Sequence, residues 1–342
     1  LNYFFIREKF IPYRYSNDIN KGSQKIHDGT IKRIGGLPIV ISLMSMLIIN
    51  EFIIKNIIDY QLLLIFFFAI MIFIVGFSED LIKDIKPTKR LIVLFLITSS
   101  WLIFSDNLIK NTNIDIVDSV ISVKFFSVIL SIICIISALN ATNMMDGANG
   151  LLSIFAITVT VILLCYAFSN NDSDLIIFLF SLIGSLFGFL IFNWPKGYIF
   201  LGDGGSYFIG AILSTLLIYM SNNLINFNML NALIIMIYPI WELIFTVLRR
   251  IYFSSKITHP DNLHLHTILN ANIKKINFVK NKIVDSNSLT GIIVNLIALL
   301  PSSIYLIYKF DNNLEDLESI YFFTFVFSTY TFLYLILRKI NN

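Results

Sequence analysis

Charge is what this chain lacks. Asp, Glu, Lys and Arg make up 14% of its 342 residues, against about 25% in a typical soluble domain. Cysteine is also scarce: Cys134 and Cys165 are the only two. Each lies inside an apolar run with no CxxC neighbour, so a disulfide scaffold is excluded and both read as small packing residues. The net charge of +3 is too small for a nucleic-acid surface, and no nucleic-acid partner is expected. No cleavable signal peptide is recognisable.

What is abundant is apolar surface. Hydrophobic residues reach 56%, with 32 Phe, and the mean hydropathy is +0.78. A disordered chain and an ordinary cytosolic enzyme are excluded. The composition implies an all-α, polytopic integral membrane protein, read as a single domain over 1–342. About 20 apolar residues cross a bilayer as a helix. Ten candidate spans fit: 34–50, 61–77, 91–105, 117–139, 151–169, 175–192, 206–221, 229–248, 289–308 and 319–337. The runs are continuous rather than alternating, which favours helices over a barrel. The apolar piece Leu1–Ile6 reads as the tail of a further span, which would make eleven.

Lys and Arg set the orientation. The segments before 34 and at 78–90, 140–150, 193–205, 249–288 and 338–342 hold 21 of the 25 basic residues. That side is expected to be cytoplasmic. The other side carries Lys55, Lys110, Lys124 and Lys309 among many acids.

The unusual polar residues all fall in the connections of the basic side. They are His27 to Gly36; Glu79–Asp80 with Lys83 and Asp84; Asn140 to Gly150; Phe200 to Ser206; and His259 to His266. Asp146 and Asp203 abut apolar runs with no basic neighbour in sequence, and such charges are costly in a membrane unless they work or are paired. Phosphoryl transfer suits this set. Mg²⁺ takes one or two carboxylates plus waters and phosphate oxygens, and Gly-rich turns at helix starts offer N–H groups to phosphate. The bland readings are a solvated turn at Glu79–Asp84, an Asx turn at Asp203 and N-caps at Asn143 and Asp146. His264 and His266, two apart, fit a loop better than one helix face. Lys32, Arg33, Arg249 and Arg250 are most simply topology anchors. Glu242, inside a span, is either half of a buried pair or a site residue.

Five motifs in order resemble those of the polyprenyl-phosphate N-acetylhexosamine-1-phosphate transferases, the glycosyltransferase 4 family. They are Arg33-x-Gly35-Gly36, Glu79-Asp80, Asn143-x-x-Asp146-Gly147-x-Asn149-Gly150-Leu151, Phe200-x-Gly202-Asp203-x-Gly205-Ser206 and Pro260 to His266. The resemblance implies an active site formed by cytoplasmic loops in a bacterial inner membrane, and a Mg²⁺ (or Mn²⁺) cofactor. It implies a UDP-N-acetyl sugar and undecaprenyl phosphate as substrates, and a homodimer.

By position it makes Asp203 and Asp80 the metal ligands, and Glu79, Asp80, Asp146 and Asp203 the catalytic acids. Asn143 becomes a polar partner. Asn149 and Phe200 would hold uracil, with Gly202 beside them. Arg250, His264 and His266 would hold the diphosphate, and Lys32 and Arg33 the lipid phosphate. Glu79 stands where the family usually has Asp, Lys83 where many members have a third acid, and Thr267 where many have a further His. These departures point to the surface-glycan branch rather than to phospho-MurNAc-pentapeptide transfer. Outside the family, a secondary transporter and an inactive scaffold are the rivals.

Overall fold

The structure is a computed structural model that describes residues 3, 17–19, 30–54, 58–82, 85–252, 263–275, 285–312 and 316–341. Lys83, Asp84, Pro260 to Asn262, Leu1–Ile6 as a segment and His27 to Gly29 fall outside the described residues. Two short antiparallel strands, β1 (Asn17–Ile19) and β2 (Thr30–Lys32), precede the helices. Then come α1 (Gly36–Ile49, running on as a π turn to Ile54), α2 (Tyr60–Leu81), α3 (Pro87–Ser105), α4 (Asp115–Ile121), α5 (Lys124–Met145), α6 (Leu151–Ser169) and α7 (Ser173–Asn193). The chain continues through α8 (Gly202–Asn223), α9 (Met229–Ile235), α10 (Ile237–Tyr252), α11 (Leu265–Lys275), α12 (Ser286–Asn312) and α13 (Asp316–Asn341).

Among the described residues, eight helices are long and apolar enough to cross a membrane: α2, α3, α5, α6, α7, α8, α12 and α13. The protein is thus an all-α polytopic membrane protein, as expected. The other two expected spans take different shapes. The 229–248 run is α9 and α10, bent by 72° at their junction, and counts as a ninth span if the pair crosses together. The 34–50 run is α1, a shorter apolar helix. The start of 117–139 is the separate helix α4, so that span is shifted to Lys124–Met145.

Local sequence starts these helices. Asp59 caps α2 by accepting from the Gln61 N–H at 2.9 Å, and Asp172 caps α7 by accepting from Leu175 at 3.0 Å. Pro87 opens α3, where its missing N–H costs nothing. The central helix is α8, packed against α2, α5 and α1 and buried along almost its whole length. Glycine makes that packing possible. A Cβ on Gly76 of α2 would lie 2.5 Å from the Asp203 carbonyl oxygen, and one on Gly36 would lie 2.5 Å from the Gly205 Cα. Both obstacles are backbone, which cannot rotate away.

The helix ends sort as the basic and acidic connections imply. Asp59, Asp174 and Tyr219 meet at one end, where Tyr219 Oη donates to Asp59 Oδ2 at 2.8 Å. Asp316 of that same end accepts from Asn113, Asn228 and Lys309. The Arg33, Asp80 and Asp203 cluster lies at the other end of α2 and α8. Both cysteines are free thiols, as their setting in the sequence implies.

Gly76→Ala should force α2 and α8 apart and cost about 1–3 kcal/mol, the usual scale of overpacking. Thermal unfolding in detergent would show a lowered midpoint; an unchanged midpoint would mean the helices separate freely at this crossing.

Candidate active site

Part of the polar motif set is built on helix ends, the rest on the turns that join them. Glu79 and Asp80 occupy the last turn of α2, Asn143 the last turn of α5, and Asp203 the first turn of α8. The expected site in the connections is thus shared between loops and the helix turns that border them. A helix satisfies its own backbone, so it runs on through the polar motif until the chain leaves apolar surroundings.

Arg33 is the hub. It follows β2, whose end is tied to the chain ahead of α8: the Phe200 N–H donates to the Lys32 carbonyl at 2.9 Å, and the Gly35 N–H to the Phe200 carbonyl at 2.8 Å. The Arg33 guanidinium donates through Nη2 to Asp203 Oδ1 at 2.8 Å and lies 3.5 Å from Asp80 Oδ1 through Nε. Asp203, without a basic neighbour in sequence, is therefore paired across the fold. Asn143 Nδ2 donates to the same Asp203 oxygen at 2.9 Å and to Ser206 Oγ at 3.0 Å. Asp80 Oδ2 accepts from the Gly204 N–H at 3.0 Å. The N-terminus of α8 is thus capped by Asp80 of α2, so this N–H is not left open to a phosphate as the Gly-rich turn implied. Gly202, at φ +76°, leaves room for the junction: a Cβ there would lie 2.5 Å from both the Arg33 carbonyl and Asp80 Oδ2.

Asp146 follows α5 and completes the cluster electrostatically. Burial pushes its carboxyl up to about 7; Arg33 opposes the rise and Asp203 adds to it. Burial likewise opposes the charge on Arg33, but Asp203, Asp80 and Asp146 together hold that guanidinium above its ordinary value. Asp80, Asp146 and Asp203 therefore share one site with Arg33 and Asn143.

Glu79 faces elsewhere. Its Oε2 lies 3.5 Å from Arg90 Nη1, and the Arg90 guanidinium sits 5.7 Å from the centre of the Tyr207 ring. Successive helical residues diverge by about 100°, so the acidic pair cannot point both members at one spot.

His264 lies on the bend just before α11, and His266 in its first turn. The two sit at a helix start rather than in an extended loop, and their rings stack with centroids 5.5 Å apart and planes within 3°. His266 Nε2 abuts Gly147, where any Cβ would overlap it. Burial, with His264 beside it, holds His266 down to about 4, so it is neutral at pH 7. Asn149 is not presented to the cluster. It is buried, its amide donating to Ser288 Oγ at 3.2 Å and its backbone N–H to Asn287 Oδ1 at 2.9 Å. Lys32, Phe200 and Arg250 are partly exposed, Arg250 in the last turn of α10.

Two residues escaped the motif reading. Glu242, fully within α10, places Oε1 at 2.7 Å from His264 Nδ1. Arg249, expected to be a topology anchor, is buried and donates to the Leu263 carbonyl and, at 3.0 Å, to Tyr334 Oη. A lone acid in an apolar helix was the available signal for the first; the second had none.

Among the described residues, no three acidic or imidazole side chains are gathered to cage a metal. Asp80 and Asp203 offer a two-carboxylate site, and the buried Asp80 Oδ1 has no hydrogen bond. That donor set fits Mg²⁺, which completes its shell with water and phosphate oxygens.

Fold and site together define a polytopic membrane protein with a paired acidic centre at one end of its helices. Residues 62–221 match glycosyl transferase family 4. The chain is 27% identical over 253 residues to the probable undecaprenyl-phosphate N-acetylglucosaminyl 1-phosphate transferase of Bacillus subtilis, covering 71% of this chain and 67% of the relative. It is also 27% identical to the undecaprenyl-phosphate alpha-N-acetylglucosaminyl 1-phosphate transferase of Thermotoga maritima, covering 74% and 72%. A phospho-N-acetylmuramoyl-pentapeptide-transferase of Latilactobacillus sakei is 32% identical over 159 residues, 44% of this chain and 49% of the relative. These matches support the polyprenyl-phosphate hexosamine-1-phosphate transferase family as the one this chain is similar to.

The raised Asp146 value gives a pH signature. The fold favours the protonated carboxyl, so its contribution to stability is complete below the ordinary value of about 4 and is lost as pH rises through about 7. The unfolding midpoint of Asp146→Asn should therefore fall less than that of the native chain across this interval. Equal falls in both would remove Asp146 as the source.

Proposed function

We propose that this protein transfers an N-acetylhexosamine 1-phosphate from a UDP-sugar to undecaprenyl phosphate. An oxygen of the lipid phosphate bonds to the sugar-proximal phosphorus. The bond from that phosphorus to the bridging oxygen breaks, and UMP leaves with the electron pair. The convergence of Asp80, Asp146 and Asp203 on Arg33 carries this reading. Anionic partners meeting at a diphosphate need cations and fixed polar groups, and catalysis is largely positioning and electrostatics.

Asp80 and Asp203 would hold the Mg²⁺ (or Mn²⁺), which when bound neutralises charge on the diphosphate. Asn143 fixes the Asp203 carboxylate. Asp146, titrating near neutrality, is suited to take a proton from the lipid phosphate. Arg33 and Lys32 offer positive charge to that phosphate. Arg250, His264 and His266 would face the diphosphate, with neutral His266 acting through hydrogen bonds rather than charge. Phe200, beside Arg33, would stack on uracil. Glu79, held by Arg90, would shape the field around the centre.

The lipid tail has a place to lie. A groove of about 230 Å³ runs between α5, α8 and the bent pair α9–α10, lined by Cys134, Ala138, Ala141, Leu217, Met236 and Ile240. Ala141 is about one and a half turns from Asp146. The site end would face the cytoplasm, where nucleotide sugars are made, in keeping with its excess of Lys and Arg. The pentapeptide-transferase alternative rests on relatives such as that of Latilactobacillus sakei, which matches a smaller share of this chain.

Membranes carrying the protein, given UDP-N-acetylglucosamine, undecaprenyl phosphate and Mg²⁺, should release UMP and form a lipid diphosphate sugar detectable by mass spectrometry. UDP-MurNAc-pentapeptide in the same assay tests the alternative. Asp203→Asn should leave membrane insertion intact and reduce the rate to less than about a tenth, since losing a charged metal ligand costs several kcal/mol. A variant above that level would place the metal elsewhere.

A further inference from the structure

We propose that Glu242 is a positioning residue for this reaction, holding the His264 imidazole in one orientation so that the histidine pair stays seated against the Asp146–Gly147 turn. The inference rests on the transferase reading and deepens it.

Glu242 is 1% exposed and lies on α10, past the 72° bend. A carboxylate there is expensive unless something answers it. Its two oxygens are used separately. Oε1 lies 2.7 Å from His264 Nδ1, and Oε2 accepts from the Leu265 N–H at 3.4 Å. A carboxylate only accepts, so the proton of that bond is on Nδ1. The ring's other nitrogen, Nε2, then points away from the carboxylate. The Leu265 N–H belongs to the first residue of α11, where a negative charge is favoured. One side chain thus fixes a ring and a helix start together.

The frame around it is stiff. On the same face of α10, Arg249 donates to the Leu263 carbonyl and is itself held by Tyr334 of α13. Trp241, next to Glu242, donates to Thr331 Oγ1 of α13 at 3.0 Å. Leu263, His264 and Leu265 are therefore clamped in succession by Arg249 and Glu242. His266 stacks on the ring so held and reaches Gly147, next to Asp146. A chain of contacts runs from a carboxylate deep in α10 to the acidic centre. Removing the partner that orients a metal-ligating histidine commonly costs 10–100-fold, and a histidine aimed at a diphosphate is expected to respond on the same scale.

The test is a double-mutant cycle on the full chain in detergent, read as UMP release from UDP-N-acetylglucosamine and undecaprenyl phosphate. Glu242→Ala should lower kcat/KM for the nucleotide sugar about tenfold or more, with KM for the lipid unchanged. Glu242→Gln keeps an acceptor oxygen and should recover most of the loss. In a His264→Ala background, Glu242→Ala should cost nothing further. Equal losses in both backgrounds, or a Gln variant as poor as the Ala variant, would overturn the proposal. Should Glu242→Ala fail to fold, NMR of isotope-labelled histidine rings reads the same point without turnover. A single His264 tautomer protonated on Nδ1, in the native chain and again in Glu242→Gln, is expected; a tautomer mixture in the native chain would overturn it. A native chain that releases no UMP from any sugar nucleotide overturns the transferase reading instead, and the ring spectra still decide the role of Glu242.

Discussion

The site depends on two backbones coming closer than side chains ordinarily allow. The first turn of α8 lies against α2 at Gly76 and against α1 at Gly36, with Gly204 and Gly205 on the facing surface. Only hydrogen fits at those positions. The consequence is chemical: with the helices in contact, Asp80 of α2 reaches the Gly204 N–H of α8, and Asp80 and Asp203 come within reach of one guanidinium. A methyl group at this crossing would move one carboxylate relative to the other. Backbone approach sets the spacing, and spacing decides whether the acids act as a pair.

The second constraint is charge. Three carboxylates brought together would repel, and in low dielectric each would protonate. Arg33 answers them from the chain just after a short strand, not from a membrane helix. That segment is held by the Phe200–Lys32 and Gly35–Phe200 backbone bonds, which also tie it to the chain entering α8. The counter-ion and the acid it serves are therefore positioned by the same few bonds. Asp146, for which burial outweighs the pull of Arg33, keeps a value near neutrality and is suited to exchange a proton.

Much of this was legible in the sequence, because membrane helices announce themselves by length and apolarity. Arg33, Asp80, Asn143, Asp146 and Asp203 each allow a bland local reading as anchor, turn or cap; their motifs taken in series single them out, and the fold gathers them. What escaped was anything that depends on direction rather than position. Sequence puts Glu79 and Asp80 together, but helical twist sends one to Arg90 and the other to Arg33. Asn149 belongs to a motif, yet its amide is committed to Ser288 at the start of α12. The bend between α9 and α10 did have a signal in Pro239, which has no N–H to give the Ile235 carbonyl and so sits in the first turn of a new helix; without that bend the pairing of Glu242 with His264 has no geometry to rest on.

The two ends of the molecule differ in how completely their titratable groups are satisfied. At the acidic end, Asp59 receives Tyr219, and Asp316 receives two asparagines and Lys309. Among the described residues, the titratable side chains with a buried atom lacking a hydrogen bond are Glu79, Asp80, Arg90, Tyr207, Tyr238 and His266. Four of these surround the Arg33 and Arg90 clusters, His266 abuts the Asp146 turn, and Tyr238 lies one turn from Glu242. Amide and hydroxyl atoms without a partner are spread more widely, Gln61 and Asn231 among them, so the contrast between the ends is one of titratable groups. In the proposed reaction a soluble diphosphate and a lipid phosphate would bring acceptor oxygens to Arg90 and Tyr207, and a cation that Asp80 would share. The unpaired atoms and the apolar groove beside α5 thus describe two halves of one amphiphilic requirement, polar at the helix ends and apolar along their flanks.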